Sequence, residues 1–372
     1  MLFDPYPKTR AEDLYDREKE IDLLKKSLEI GERFIIVYGI RRIGKTSFLY
    51  TSLRKLGYPH VVVDVREIYG IYNRVSRQHV YRKILGYFTD NMGFFERIGF
   101  KVKELISKVK GFSFSGIGVE IETTSSMDLA DLFRLFNKWA IEHSTRFIIA
   151  FDEAQYLRFS GSLRYDTLFS WAMDRLEAVT VIVTGSEVGV LRDFLRIDDP
   201  SAPLYGRYVC EIKLDRFNYR QSLDFLEKGF HQLNMSINES ELREVVEKLD
   251  GIPGWLTLYG YYRGVKKLDH RATLDKVFSE GSKLVLSELE KIIEPSRDRY
   301  LAILEAIAYG ITTWKQIKTY IMYKTGPITD KRFTELLKKL VKYSIVEKRD
   351  NEYRIIDPLV EYAIKKHLTR RH

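Results

Sequence analysis

The chain has 372 residues, a length that predicts two or three compact units rather than one ordinary domain. Hydrophobic residues make up 45% of it and aromatic residues 13%, and its single cysteine, Cys210, excludes an internal disulfide framework and a thiolate metal cluster. The formal net charge is +9, and no uncharged apolar run reaches the roughly 18 residues of a membrane helix, so we expect a cytoplasmic protein with no membrane segment.

The first predicted elements are a helix and a phosphate-binding loop. Apolar spacing predicts a helix over residues 18–28, and the apolar run at 34–38 predicts a buried strand. Residues 39–46 then satisfy the pattern G-x-x-x-x-G-K-[ST] at every fixed position. The glycines let backbone N–H groups curl around phosphates, Lys45 reaches the β and γ oxygens, and the Thr46 hydroxyl can ligate Mg²⁺. A helix over residues 46–53 follows, with its amino terminus facing the anion. The predicted nucleotide-binding residues of this segment are Gly39, Ile40, Arg41, Arg42, Ile43, Gly44, Lys45, Thr46 and Ser47.

An α/β pattern continues after the loop. Residues 60–65 form a second candidate for a buried strand, and apolar spacing predicts helical structure from 77 to 107. At 110–121, apolar residues alternate with small or polar ones, which predicts a hairpin inserted into the domain.

A second motif places two carboxylates at the end of a strand. The apolar run at 147–151 precedes Asp152 and Glu153. At the carboxyl edge of a parallel sheet, Asp152 would hold Mg²⁺ opposite Thr46, and Glu153 would polarise a water for attack on the γ-phosphate. This favours hydrolysis over transfer, because Glu153 primes water where a small-molecule kinase would hold its acceptor. The sequence between Lys45 and Asp152 has room for at least one more strand, which residues 61–65 supply, and this suggests the additional-strand, catalytic-glutamate division of phosphate-loop ATPases.

Further catalytic candidates accompany the next two strands. A strand predicted at 179–186 ends in polar residues at the same sheet edge, where Thr184 or Ser186 would contact the γ-phosphate or the attacking water; a simple strand end with a turn is the alternative. Arg207 precedes a strand predicted at 209–214. An arginine delivered to the γ-phosphate neutralises charge in the transition state, and Arg207 would act in cis or from a neighbouring subunit. An ordinary surface arginine is the alternative.

Helical sequence from 215 to 262 predicts a lid that covers the base and ribose of the nucleotide. Its Gly-Ile-Pro-Gly turn at 251–254 brings Pro253 and Trp255 against either the nucleotide or the core of the lid. A tryptophan is more often a core residue than a ligand contact.

Most of the net charge lies in the last 82 residues, which contain 18 Lys and Arg but only 10 Asp and Glu. Helical segments at 299–308, from 313, and at 329–343, followed by a hairpin around residues 349–351, predict a winged helix. A basic module of this kind is typical of nucleic-acid binding, and double-stranded DNA is the expected ligand. The predicted phosphate contacts are Lys331, Arg332, Lys338, Lys339, Lys348 and Arg349. Acidic residues interrupt this patch, so a solvated surface or a winged helix that docks a protein remains the alternative.

Together these motifs resemble the archaeal ATPase family, which is grouped with the STAND ATPases and is similar to the AAA+ origin-recognition ATPases. The resemblance covers nearly the whole chain and rests on residues 17–20, 39–46, 151–155, 204–207 and 251–256. It implies ATP or ADP as the nucleotide, Mg²⁺ as the metal, and an α/β phosphate-loop ATPase core with a parallel sheet, followed by a helical lid and a C-terminal winged helix. It also implies that residues 15–18, and so Arg17, lie near the adenine. We assign the core to residues 1–214, the lid to 215–285 and the winged-helix domain to 286–372.

Two functions follow from these expectations. In the first, the protein hydrolyses ATP and acts on DNA. In the second, it is a slow nucleotide-controlled switch whose bound ATP sets the positions of the lid and winged helix for a protein partner. Oligomerisation is compatible with both, and DNA-stimulated turnover would separate them.

Overall fold

Alternating strands and helices build the amino-terminal half of the chain, and helices dominate the remainder. The computed structural model describes residues 1–100, 112–115, 118–121, 129–161 and 163–369. The strands are β1 (Phe34–Tyr38), β2 (His60–Asp64), β3 (Phe112–Ser115), β4 (Gly118–Ile121), β5 (Phe147–Asp152), β6 (Val179–Gly185), β7 (Cys210–Lys213), β8 (Val346–Arg349) and β9 (Glu352–Ile355). The helices are α1 (Glu18–Glu29), α2 (Lys45–Leu56), α3 (Val65–Tyr72), α4 (Arg77–Asp90), α5 (Met92–Arg97), α6 (Leu129–Glu142), α7 (Tyr165–Arg175), α8 (Val188–Leu195), α9 (Tyr219–His231), α10 (Glu239–Leu249), α11 (Pro253–Gly260), α12 (His270–Ile293), α13 (Arg297–Ala308), α14 (Trp314–Thr325), α15 (Asp330–Lys342) and α16 (Pro358–Thr369). No helix in the described ranges is long and apolar enough to cross a membrane.

A five-stranded parallel sheet in the order β2-β5-β6-β1-β7 forms the centre of the amino-terminal half. The central strands β5 and β6 are buried along their whole length, as expected when helices cover both faces of a parallel sheet. One face packs against α4, α6 and α7, and the other packs against α1 and α2. Thr184 in β6 lies opposite Val37 in β1, so the loops that follow these two strands emerge at the same edge.

The additional strand of this sheet is β6, which lies between β1 and β5. The expectation that residues 61–65 supply it is wrong, because β2 lies at the edge of the sheet and pairs with β5. Spacing along the chain cannot decide this point, since long crossover connections let consecutive strands take non-adjacent positions. The observed order still confirms the predicted class of core, in which one strand separates the strand before the phosphate loop from the strand before Asp152.

The helical segment predicted at 77–107 contains two helices, α4 and α5, which meet at Asn91. Residues 101–107 lie outside the described residues, as do positions 110, 111, 116 and 117 of the predicted hairpin. The rest of that hairpin pairs as predicted, with β3 antiparallel to β4 and Phe112 opposite Ile121.

The lid and the winged helix share one hydrophobic core. Helices α9 to α11 form the lid, and α12 runs unbroken for 24 residues from the lid into the winged helix. The predicted boundary at 285–286 therefore falls inside a continuous helix, and the division of the chain into these two domains stays a prediction. Helices α13 to α15 and the antiparallel pair β8-β9 form the winged helix. Asp350 and Asn351 make its turn in left-handed conformation, whereas Arg349, predicted to lie in the turn, ends β8.

The carboxyl end of α15 packs on the core at α8, the helix that follows β6. The Val188 N–H donates to Ser344 Oγ at 3.3 Å, and Lys342 pairs with Asp193. The approach is close enough that a Cβ on Gly189 would lie 2.8 Å from Lys342 Cα. The winged helix is thus docked directly beside the sheet edge that carries the phosphate loop.

Candidate functional site

The phosphate loop joins β1 to α2, and its geometry requires two of its glycines. A Cβ on Gly39 would lie 2.5 Å from the Leu214 carbonyl oxygen, so a larger residue does not fit without a backbone shift. Gly44 caps α2 with a φ of +95°, in the left-handed region that favours glycine. The N–H groups in the first turn of a helix lack intrahelical partners, and those of α2 are therefore available for a bound phosphate.

Lys45 is buried at the start of α2. Its Nζ donates to the carbonyl oxygens of Gly39 at 3.1 Å and Ile40 at 3.0 Å, and it lies 3.7 Å from Glu153 Oε1. Burial lowers the pKa of Lys45, against the opposing charges of Glu153 and Asp152. The ammonium group therefore lies between the loop and the carboxylate that follows β5, where phosphate oxygens could replace its carbonyl partners.

Asp152 and Thr46 meet as the sequence predicts. Thr46 Oγ1 donates to Asp152 Oδ2 at 2.7 Å, and the Thr184 hydroxyl donates to Oδ1. Burial, and after it the charge of Glu153, raises the pKa of Asp152 to about 6. A carboxylate and a hydroxyl are hard oxygen donors of the kind Mg²⁺ prefers, so this donor set fits the expected metal.

Glu153 is held in one orientation by four hydrogen bonds. Its Oε2 accepts from Gln155 Nε2 at 2.5 Å and from Ser186 through Oγ at 2.7 Å and the N–H at 3.3 Å, while its own N–H donates to Thr184 Oγ1 at 3.0 Å. Burial opposes ionisation, but Lys45, Ser186 and Gln155 outweigh it and lower the pKa of Glu153. Thr184 and Ser186 thus hold the acidic pair, and their direct contact with a γ-phosphate or water stays a prediction.

A cavity of about 380 Å³ opens beside the loop, within the size range of small-molecule sites. Its walls come from residues 42–47, from the lid and from the amino-terminal segment, and both Arg17 and Pro253 line it. Aromatic and aliphatic walls are supplied by Tyr15, Phe217, Phe225 and Leu258.

Arg17, in the wall of this cavity, connects the amino-terminal segment to the phosphate loop and to the segment that follows β7. Its Nη2 donates to the carbonyl oxygens of Asp215 at 2.8 Å and Ile43 at 3.4 Å, and its Nη1 pairs with Glu20 at 3.1 Å. The guanidinium carbon lies 5.1 Å from the ring centre of Phe217. Arg17 therefore supports the shape of the cavity.

The two arginines of the phosphate loop reach a carboxylate on α12. Glu288 receives Arg42 Nη2 at 3.0 Å, Arg41 Nη1 at 3.2 Å and Arg66 Nη2 at 3.5 Å. Arg41 also donates through Nη2 to Glu187 at 2.7 Å. The loop is consequently bridged to the helix that leads into the winged helix.

Arg207 does not lie near the phosphate loop. It precedes β7 at the amino edge of the sheet, where its guanidinium forms a two-pronged pair with Asp174 and Nε donates to the Pro203 carbonyl oxygen at 2.6 Å. The phosphate loop follows β1 at the opposite, carboxyl edge. This position disagrees with the expected action of Arg207 in cis, and action from a neighbouring subunit stays a prediction.

Sequence reasoning missed three contributors to the site. Glu187 and Glu288 hold the loop arginines, and residues 4–8 line the nucleotide cavity. The Lys8 N–H donates to Ser47 Oγ at 3.0 Å, which ties that segment to α2. No motif marks these residues, because each acts through a partner far away in the chain.

The fold and the site together define a phosphate-loop ATPase domain joined to a winged helix. Two family models match the chain: an ATPase domain predominantly from Archaea at residues 14–258, and an MCM protein C-terminal winged helix-turn-helix domain at residues 294–356. Since the first match covers more than half of the chain, this protein belongs to the family of ATPases found predominantly in Archaea.

Solved structures and a curated relative are also similar to this chain. The Walker-type ATPase PABY2304 of Pyrococcus abyssi is similar, with 35% identity, a TM-score of 0.85, and coverage of 98% of this chain and 100% of that chain. The ORC2 protein of Aeropyrum pernix, solved as ADPNP–ADP complexes, shares the fold at 15% identity and a TM-score of 0.60, over 99% of this chain and 98% of that chain. The uncharacterized protein MJECL04 of Methanocaldococcus jannaschii is 25% identical over 343 residues, which are 90% of this chain and 62% of the relative. The chain therefore spans about 62% of the length of that relative.

Proposed function

We propose that this protein binds ATP with Mg²⁺, hydrolyses it, and uses its nucleotide state to set the position of a winged helix that binds double-stranded DNA. The observation that carries this proposal is the convergence of Lys45, Thr46, Asp152 and Glu153 at one edge of the sheet. An ammonium group, a hydroxyl and two carboxylates in contact are the groups that hydrolysis of a nucleoside triphosphate requires.

Each group has a separate task in the reaction. Lys45 and the N–H groups that begin α2 neutralise and hold the β and γ oxygens. Mg²⁺ bound by Thr46 and Asp152 would add positive charge on the same phosphates. Glu153 accepts a proton from water as the water oxygen bonds to the γ-phosphorus, and the proton then leaves to solvent. The bond from the γ-phosphorus to its bridging oxygen breaks, and its electron pair stays with ADP.

The base and ribose are proposed to occupy the aromatic part of the cavity. Tyr15 and Phe217 lie on one wall, with ring centres 5.2 Å apart, and Pro253 begins α11 on the lid side. The implied position of Arg17 near the adenine stays a prediction, and its place in the lining of the same cavity supports it. Closing the lid over the base would exclude water from the phosphates.

A physical route from the loop to the winged helix supports the proposed coupling. Arg41 and Arg42 hold Glu288 on α12, and α12 packs against α16. Trp255 of the lid donates Nε1–H to Asp357 at 3.0 and 3.1 Å, directly before α16. A phosphate that rearranges the loop arginines therefore changes the contacts that hold the winged helix.

Contacts within the winged helix leave its basic patch only partly available for DNA. Three of the six predicted phosphate contacts, Lys331, Lys338 and Lys348, are exposed, and a fourth, Arg349, is exposed but pairs with Glu347 at 3.1 Å. Arg332 is engaged with Glu335 and Ser296, and Lys339 is half-buried with its Nζ 5.4 Å from the ring centre of Tyr300. These contacts of Arg332 and Lys339 reduce the basic patch and favour the second candidate function, a nucleotide-controlled switch whose winged helix docks a protein partner.

Turnover with and without duplex DNA tests the proposal. We expect duplex binding that weakens steeply with salt, because each neutralised phosphate contributes roughly 0.9 to the slope of log affinity against log salt. Reversing Lys331 and Lys338 to Glu should lower affinity for duplexes of any sequence and reduce that slope by about 2, with basal ATP hydrolysis unchanged.

The matched control reverses Lys26 and Lys55, two exposed lysines on α1 and α2, to Glu. It makes the same change in net charge away from the winged helix, so duplex affinity should fall much less. A wild-type protein that shows no duplex binding at low salt, measured by fluorescence anisotropy, would contradict the DNA role and favour the protein-docking switch.

A further inference from the structure

The consecutive arginines of the phosphate loop have different surroundings. Both pair with Glu288, but Arg42 also packs on the lid: its guanidinium carbon lies 4.5 Å from the ring centre of Trp255, and its carbonyl oxygen accepts from the Gly254 N–H at 3.0 Å. Arg41 instead extends toward the turn after β6, where Glu187 receives it at 2.7 Å. The two side chains therefore serve different parts of the site.

Arg41 pairs with Glu187, the residue next in sequence to the serine that holds Glu153. Glu187 is buried and directly follows Ser186, which binds Glu153 Oε2 through both its hydroxyl and its N–H. The other oxygen of Glu153 lies 3.7 Å from Lys45 Nζ. Lys45 and Glu153 line the nucleotide cavity, and Arg41 lies close enough that its positive charge contributes to lowering the pKa of both groups, although its side chain lines the adjoining gap toward α12.

The guanidinium of Arg41 is charged and has N–H groups beyond those that Glu187 and Glu288 engage. Burial opposes its charge, but the carboxylates of Glu288, Glu187 and Glu153 outweigh burial and raise the pKa of Arg41. A guanidinium has five N–H groups in a planar fork. Among the residues the structure describes, Glu187 and Glu288 engage one terminal nitrogen each, so further N–H groups remain for phosphate oxygens.

We propose that Arg41 is a catalytic residue that neutralises the γ-phosphate in the transition state, in cis. The proposal rests on the proposed ATP hydrolysis. In that reaction negative charge spreads over the equatorial oxygens of the transferred phosphoryl group, and a positioned cation stabilises it. Arg41 forms no covalent bond and keeps its proton. Arg207, the arginine that the sequence favoured for this task, lies at the opposite edge of the sheet.

Glu187 and Glu288 have distinct effects on Arg41 in this account. Glu187 holds the guanidinium beside the Ser186–Glu153 pair, so it is a positioning residue. Glu288 draws the other terminal nitrogen toward α12, and Arg41 lines the gap between the loop, α12 and the winged helix. Reaching the γ-phosphate requires Arg41 to leave Glu288, and bound ATP would therefore weaken one of the contacts that hold α12.

The test replaces Arg41 with Ala and with Lys and separates transition-state stabilisation from nucleotide binding. Arg41→Ala should lower kcat by about 10³-fold, as expected for an arginine that acts on the transferred phosphoryl group, with ATP affinity changed less than about tenfold. It should also lose the trapped complex with ADP and aluminium fluoride, which imitates the transition state. Added guanidinium ion should restore part of the turnover in Arg41→Ala. Arg41→Lys keeps a cation and should retain more turnover and more aluminium fluoride trapping than Arg41→Ala.

Arg158→Ala is the matched control, because Arg158 also pairs with Glu187, at 3.4 Å, but through the other carboxylate oxygen. This variant should keep both kcat and aluminium fluoride trapping within about threefold of wild type, a difference of about 0.7 kcal/mol. Folded Arg41→Ala and Arg41→Lys proteins that turn over ATP and trap ADP–aluminium fluoride like wild type would overturn the role of Arg41 alone. A wild-type protein that binds ATP but neither hydrolyses it nor traps the complex would overturn the proposed hydrolysis and, with it, this role.

Discussion

Gly189 provides the sharpest test of winged-helix docking. It lies in the first turn of α8, and a Cβ there would meet Lys342 at 2.8 Å from Cα and 3.0 Å from the carbonyl oxygen. Both of these contacts are with backbone atoms, which cannot rotate away as a side-chain end can. Gly189→Ala should therefore push the end of α15 away from the core.

The expected size follows from the cost of overpacking. An extra methyl group forced into a packed contact costs about 1–3 kcal/mol. Alanine also favours the helix by about 1 kcal/mol over glycine, but this gain applies whether or not the winged helix is docked. The docking equilibrium should therefore fall by about 5- to 150-fold.

The Val188 amide reports on docking directly, since it lies at the start of α8 and donates to Ser344 Oγ across the contact. Hydrogen exchange of a peptide that contains Val188 should become about 5- to 150-fold faster in Gly189→Ala. Gly86→Ala in α4 is the control, because a Cβ at Gly86 meets no atom within 4 Å. Unchanged Val188 exchange in a folded Gly189→Ala protein would refute the docked arrangement.

Two further variants test nucleotide binding and coupling. Lys45→Ala should lower ATP affinity at least about tenfold in isothermal titration, because Lys45 is the loop cation placed to bridge the β and γ oxygens, and the exposed Lys55→Ala in the same helix should bind like wild type. Glu288→Gln removes the negative charge that Arg41 and Arg42 share and should weaken the contact between the loop and α12 by about 1–3 kcal/mol. The Val188 amide should then exchange faster, and exchange at the wild-type rate would argue against coupling through Glu288.

Local patterns predicted the centre of the site because its chemistry is local. The phosphate loop needs Gly39, Gly44, Lys45 and Thr46 at fixed spacing, and the structure gives a physical reason for both glycines. Asp152 follows a wholly buried strand, as its apolar run predicts. Each of these features is complete within a few residues of chain.

Features that depend on distant partners could not be predicted in this way. Glu288 meets Arg41 across almost 250 positions of sequence, and no periodicity in α12 distinguishes it from a solvated glutamate. Arg207 precedes a strand, as expected, but only the direction of β7 in the sheet reveals that this end is opposite the phosphate loop. The position of β6 between β1 and β5 likewise depends on the crossovers.

The central claim, that Glu153 activates water for ATP hydrolysis, is tested most directly by Glu153→Gln. Glutamine keeps an acceptor oxygen for Ser186 but cannot take the proton of the attacking water. The account predicts that the variant binds Mg²⁺-ATP within about threefold of wild type while phosphate release falls by about 10²–10⁴-fold, and that Glu29→Gln on the exposed end of α1 changes neither quantity. Wild-type phosphate release by a folded Glu153→Gln protein would contradict the account.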